Sequence, residues 1–264
     1  MAEPHLVDTP TGAASLPVPD AVRAAIRARA DEHTAPLVEA LLRSSLVLTG
    51  GSAALEGPAA GRLGGLPPLP AGTDWPEFAG LPMQLLAQLD CAGLAEAFRT
   101  TGHGGVWPLP ASGLLLFFHD DRVSDYTGGG CRVLHVPGDA PPRPAPASGT
   151  GDPVVPAVAV RARWELSAPS YQDQELENLF PDDFLVALDL ASDFRDHLPR
   201  PDVRVLGWCD TDTGRPAGHR PLLQVENRAL AADWGETVNI SFWITDEDLA
   251  AGRFDRVRHG FEVA

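Results

Sequence analysis

Residues 85–90 read LLAQLD and residues 221–226 read PLLQVE. A period of two puts Leu86, Gln88 and Asp90 on one face of the first segment, and Leu222, Gln224 and Glu226 on one face of the second. Each strand thus offers an amide and then a carboxylate at its end. Each is followed by a second apolar run that closes in acids, GLLLFFHDD (113–121) and VNISFWITDED (238–248). The recurrence predicts an internal duplication, and with it an α+β fold built on a mixed, largely antiparallel sheet.

Working outward, Asp20 is placed to cap a helix over AVRAAIRARADEH, and Pro36 to open a second over PLVEALLRSS. Further strands are expected at 46–49, 131–136, 157–166, 203–206 and 256–263. Helices are expected over 94–100 and 182–197, with a short one after Thr245. Residues 50–82 read as one Gly-rich connection. Residues 137–156, PGDAPPRPAPASGTGDPVVP, carry seven prolines. Proline lacks a backbone donor and fixes its φ, so this stretch is neither helix nor central strand. The organisation expected is a flexible lead-in (1–19), an N-terminal half with helices and the first strand repeat (20–136), a linker or long surface loop (137–156), and a C-terminal half with the second repeat (157–264). The two halves are compatible with one compact domain.

Composition removes several function classes. The net charge is −16, and the 36 acids are spread over both halves, so no basic stripe is available for a phosphate backbone. Nucleic acid is not an expected partner. All twenty basic residues are arginine. The absence of lysine excludes a P-loop, a Schiff-base enzyme and a kinase-type ATP site. An arginine-only chain rich in Ala, Gly and Pro also points to a high-GC, bacterial source. Three separated cysteines give no disulfide framework and no CxxC pair. There is no signal-peptide pattern and no apolar run near eighteen residues, so a cytoplasmic protein without membrane partners is expected.

The stretch LGGLPPLPAGTDWP (63–76) leads into the first repeat. Pro and Gly pre-set its path, and the Trp75-Pro76 junction anchors it. It reads either as a binding rim or as a lid over the sheet.

Together, GGLPPLP followed by WP, then LLAQLD, LPASGLLLFF, LGW, PLLQVE and FWITDEDLAAGRFDRV resemble the YwqG-like family, a bacterial domain of unknown function. The resemblance covers roughly residues 60–120 and 203–258. It implies a cytosolic α+β fold and no established activity. The chain departs from the family pattern in its proline-rich segment and in CDTDTG after LGW.

Local motifs carry little chemistry. TGGSAA (49–54) approaches a nucleophile elbow at Ser52, but Pro58 and the glycines deny it the following helix. CDTDTGRP (209–216) begins like a calcium loop, yet its twelfth position is Pro221 instead of a bidentate glutamate. The acids of ITDED are those of a helix first turn capped by Thr245. The triple glycine at 128–130 leads into a strand, which cannot cradle phosphate as a helix N-terminus does. The eight histidines show no metal spacing. His119, beside Asp120 and Asp121, lacks an identifiable nucleophile. No cofactor and no metal are expected.

The candidate ligand-binding residues are therefore Gln88, Asp90, Gln224 and Glu226, with Trp75 and Trp208 as contacts from loops. About a pseudo-twofold, the two polar faces would converge on a cleft suited to a cationic or amine-bearing ligand. The alternative is that the buried amides tie strands to loop backbone. The function expected is a non-catalytic cytosolic binding or interaction protein with a protein or small-molecule partner. The competing expectation is a hydrolase-like enzyme or small-ligand binder using these Gln and carboxylate residues.

Overall fold

The computed structural model describes residues 16–50, 57–100, 106–120, 130–146, 154–210, 216–230 and 236–263. Helix α1 (Asp20–Arg29) and helix α2 (Thr34–Leu41) precede strand β1 (Arg43–Gly50). Then come β2 (Ala59–Leu63), the two-residue strands β3 (Glu77–Phe78) and β4 (Leu81–Pro82), β5 (Gln84–Asp90), helix α3 (Cys91–Thr100), β6 (Leu114–His119) and β7 (Cys131–Val136). The rest runs β8 (Val158–Ser167), α4 (Gln174–Glu177), α5 (Phe184–His197), β9 (Val203–Val205), β10 (His219–Glu226), β11 (Thr237–Thr245), α6 (Asp246–Ala250) and β12 (Arg258–Val263).

Ten strands form one sheet in the order β12-β11-β10-β9-β1-β8-β2-β5-β6-β7, with every pair antiparallel. The fold is thus α+β but dominated by strands. Phe117 of β6 and Phe242 of β11 meet edge to face at 5.2 Å although six strands separate theirs in the sheet. Contact at that separation requires the sheet to curl until its two ends approach, nearly as a barrel. The enclosed face holds the main core, with Leu46, Leu86, Leu89, Leu115, Phe117, Leu223, Ile240 and Phe242. Helix α3 joins that core through Leu94 and Ala97. It lies so close to β2 that a Cβ on Gly93 would meet the Ala59 carbonyl at 1.8 Å.

The two sides of the β1–β8 pair match in detail. In β5 a register shift lies between Leu85 and Ala87; in β10 it lies between Pro221 and Leu223. Just past β2, Gly64 and Gly65 have φ of 61° and 79°, and just past β9, Leu206 and Gly207 have 61° and 72°. The amide N–H of Gly64 donates to Leu86 and that of Leu206 to Leu222, so the same turn is tied to the same place in each half.

The expected strands are present with boundaries moved by a few residues. The second helix ends earlier than expected because its last residues enter β1. Asp20 lies inside α1, with Pro19 at the cap position. Thr245 caps α6 as expected, its Oγ1 accepting from the Asp248 N–H at 3.1 Å. Strand β2 lies in what reads as Gly-rich loop. Its sequence AAGRL has no alternation to announce it, and it is formed by pairing on both sides, with β5 and β8. TGGSAA from Gly51 on, the centre of CDTDTGRP and the first two glycines of the 128–130 run lie outside the described residues.

Helices α1, α2, α4 and α5 pack on one another around Val22, Ile26, Val38, Leu176, Leu190 and Phe194. They dock beside the start of β1 and the end of β8. There Trp208 Nε1 donates to the Leu41 carbonyl at 2.7 Å and Arg43 stacks over the indole at 3.8 Å.

Candidate functional site

The paired amides both hold loops to strands. Gln88 Nε2 donates to the carbonyls of Gly64 (2.7 Å) and Leu66 (3.1 Å). Gln224 Oε1 accepts from the Asp210 N–H at 2.7 Å. In each half the amide reaches from the long strand to the connection that leaves its shorter neighbour, β2 or β9. Buried loop backbone needs partners, and these side chains supply them.

The carboxylates differ. Asp90 Oδ1 accepts from the Ala92 N–H at 3.0 Å, the bond of a residue opening a helix, here α3. Glu226 Oε1 accepts from Asn239 Nδ2 at 2.9 Å and lies 3.4 Å from Gln224 Nε2. Burial pushes the Glu226 carboxyl above the usual range, while the Asn239 bond and the Arg228 charge oppose that shift. The structure brings Gln224 and Glu226 together. Gln88 and Asp90 lie in the other half, on β5, with β2, β8, β1 and β9 between β5 and β10.

Trp75 is buried, donates to the Met83 carbonyl at 2.9 Å and packs edge-on against Phe118. It nails the loop 63–76 onto β5 and β6, over Leu85, Leu116 and Phe118. Arg143, from the proline-rich segment, donates to the carbonyls of Leu69, Pro70 and Thr73 and fixes the loop from above. The loop covers the outer face of the sheet. Trp208 is fully buried between Leu41 and Arg43.

Sequence reading missed Arg204. It sits on β9 opposite Gln224 and is 1% exposed, which is rare for an arginine. Its guanidinium donates to Ser45 Oγ (2.8 Å), the Pro199 carbonyl (3.0 Å) and Asp210 Oδ2 (2.8 Å). The chain Ser45, Arg204, Asp210, Gln224, Glu226, Asn239 and Ser241 forms one polar network on the outer face of β1 and β9–β11. A cavity of about 30 Å³, lined in part by Ser167, Ser170, Arg195, Cys209 and Asp210, adjoins it. That is room for water-sized occupants. The only signal in the sequence was the VRV triplet, where an arginine alternates with two valines.

The thiols are not activated. Cys91, Cys131 and Cys209 are all buried and free, and burial pushes Cys91 and Cys131 up to about 12. Among the described residues no group of three or more His, Cys, Asp or Glu is placed to hold a metal, and no helix is long and apolar enough to cross a membrane.

The helical layer carries an exposed apolar pair. Phe184 and Leu185, at the start of α5, are 49% and 66% exposed, two of the five large apolar side chains this open among the described residues. Tyr171 meets Phe184 edge-on at 5.8 Å. From Asp173 to Asp196 the sequence has eight acids against one arginine, Arg195. Asp189 and Asp193 are neutralised by Arg29 of α1. Asp182 and Asp183 stand directly before the apolar pair, and Glu177 ends α4.

These features define a strand-dominated α+β protein with a curled antiparallel sheet and a docked helical layer. Residues 61–262 match the model of a family described as a domain of unknown function (DUF1963), and the chain belongs to that family. The match begins inside β2, so β1, at the centre of the sheet, lies outside it. No curated protein matches the chain.

Proposed function

We propose that this protein is a non-catalytic interaction protein whose contact surface is the Phe184–Leu185 end of α5, and that its partner is a basic segment bearing apolar side chains. The single observation that carries the reading is the adjacent exposed Phe184 and Leu185 directly after Asp182 and Asp183. Exposed apolar area of this kind gains about 25 cal/mol per Å² when covered. The carboxylates around it favour a positively charged partner and disfavour an anionic lipid surface.

A defined probe tests this. Fluorescence anisotropy would follow a labelled peptide of alternating lysine and leucine, with a glutamate-leucine peptide as control. Binding is expected for the first alone, weakening with salt and falling at least tenfold, about 1.4 kcal/mol, in Phe184→Ser/Leu185→Ser. Equal affinity for wild type and the double variant would overturn the proposal.

A second reading, a small amine-bearing ligand at Glu226, is favoured by the raised carboxyl beside the Asn239 and Gln224 amides. Native mass spectrometry of protein isolated from its own cells should then retain a small mass that Glu226→Gln loses; a bare chain in both forms would dismiss it.

We also infer that the two sides of the sheet are copies of one five-strand unit. The reading is supported by a strand order that maps onto itself about β1–β8, by the matching register shifts and positive-φ pairs, and by the two Gln clamps. An alignment of relatives in which 59–136 and 203–263 score no better against each other than shuffled sequence would refute it. We further infer kinship with the YwqG-like proteins from motif order, and a bacterial cytoplasm from the arginine-only composition and the three unpaired cysteines.

A further inference from the structure

Where the two ends of the sheet approach, β7 meets residues 254–257, which lead into β12, and β6 reaches β12 itself; among the described residues no backbone ladder joins β7 and β12 across this seam. Side chains make the seam. His135 and Phe254 meet edge-on at 6.1 Å, and Cys131 Sγ lies 3.5 Å from the Val257 carbonyl. The innermost contact joins His119 of β6 to His259 of β12, ring centroids 5.3 Å apart. Both imidazoles are buried, 3% and 4% exposed.

This pair is unusual in what it lacks. His119 Nδ1 and both ring nitrogens of His259 are buried with no hydrogen-bond partner among the described residues. Buried polar groups are nearly always paired, so three orphan nitrogens in one contact call for an explanation. Neutral imidazoles tolerate a buried site as amphipathic rings, and His259 lies across from Phe242 in the β11–β12 register. Two imidazolium ions in contact do not, because charge would be desolvated and like charges placed side by side.

We propose that the His119–His259 contact is a pH-sensitive latch that holds the curled sheet shut when both rings are neutral and releases the β7–β12 seam when they take up protons. The groups facing the pair are few. Asp120, buried beside His119, favours protonation of both rings, and Cys131 is the direct cross-strand neighbour of His119. Arg132, Arg256, Arg258 and Asp255, on the elements around them, are exposed. Burial holds His119 down to about 3 and His259 below its ordinary value, with Asp120 opposing in both cases. The sign follows: the closed seam keeps both rings neutral, an open seam lets them titrate near 6.5, and so acid favours opening from about pH 6.5 downward.

Hydrogen exchange read by mass spectrometry, corrected for intrinsic rates, tests the latch at pH 7.5 and pH 5.0 on the full chain. If both rings titrate in the open state and neither in the closed one, the seam's opening constant rises on the order of 100-fold or more between those values. Exchange should therefore accelerate in β7 and β12 while β1 and β8, at the centre of the sheet, keep their protection. His259→Phe, a ring of similar size that cannot be protonated, should abolish most of that acceleration. The proposal is overturned by equal acceleration in β1 and β8, by none at the seam, or by an unchanged pH response in His259→Phe. If that variant does not fold, the comparison of seam and centre in the natural protein still decides.

Discussion

The outer faces of the two halves of the sheet are built on matching strands and finished in opposite ways. On the N-terminal side, Leu85, Leu116 and Phe118 face outward, and the Pro- and Gly-rich loop seals them with Leu69 and Trp75. On the C-terminal side the strand positions corresponding to Leu116 and Phe118 hold Ser241 and Trp243, and a buried network runs from Ser45 through Arg204 to Asn239. Arg62, opposite Gln88, is exposed; Arg204, opposite Gln224, is buried. The difference teaches that a common backbone frame, with the same register shift and the same amide clamp, leaves the chemistry of a face to what covers it. An apolar lid requires apolar strands beneath it, whereas a buried guanidinium requires acceptors, here Ser45, the Pro199 carbonyl and Asp210 on its two terminal nitrogens.

The largest effect that would break the comparison is at the two arginines. Arg204→Met removes the partner of half-buried Asp210 and buried Ser45 and should cost about 3 kcal/mol, while Arg62→Met should stay within about 0.5 kcal/mol. Urea denaturation of both variants checks this. Similar losses at the two sites would mean that the polar network is not what distinguishes the halves.

The amides should behave alike. Gln88→Ala leaves the Gly64 and Leu66 carbonyls without their donor, and Gln224→Ala leaves the Asp210 N–H without its acceptor. Each is expected to cost about 1–3 kcal/mol in thermal or chemical unfolding, because an unpaired buried group forfeits its solvation. A loss confined to one half would show that the clamp matters in that half alone.

Glu226→Gln should have the smallest effect, visible chiefly as a change with pH. The folded protein raises the Glu226 pKa, so it favours the neutral form, and ionisation weakens the fold. Relative to the Gln variant, natural protein should therefore gain stability as pH falls through the raised value toward 4.5, and lose it again on return to neutrality. Parallel stability curves for the two proteins across that window would show that the carboxyl is not strained.

Much of this frame was legible in sequence. The segments LLAQLD and PLLQVE were readable as strands with parallel endings, but the register shift in each breaks the period of two and puts Leu86 and Leu222 on the enclosed face, opposite Gln88 and Gln224. Thr245 was readable as a cap because helix termination is a local property. Prolines between 63 and 76 announced a fixed loop, although whether it formed a rim or a lid rested on what lay beneath it. The site was less legible. Gln88 and Gln224 stand out in the sequence as polar groups on apolar strands, but their partners belong to the backbone of other segments, and no side-chain pattern records those.

The sequence by itself determined the main strand segments, the Thr245 cap, the rigid connection 63–76 and the absence of lysine chemistry, since each depends on residue type and near neighbours. Only the tertiary structure decided that AAGRL becomes β2, that Arg204 is buried while Arg62 is not, and that His119 and His259 meet at the closing seam. Those outcomes depend on which distant segments pair and on how far the sheet curls, and strand twist accumulated over ten strands is a property of the whole sheet rather than of any stretch within it.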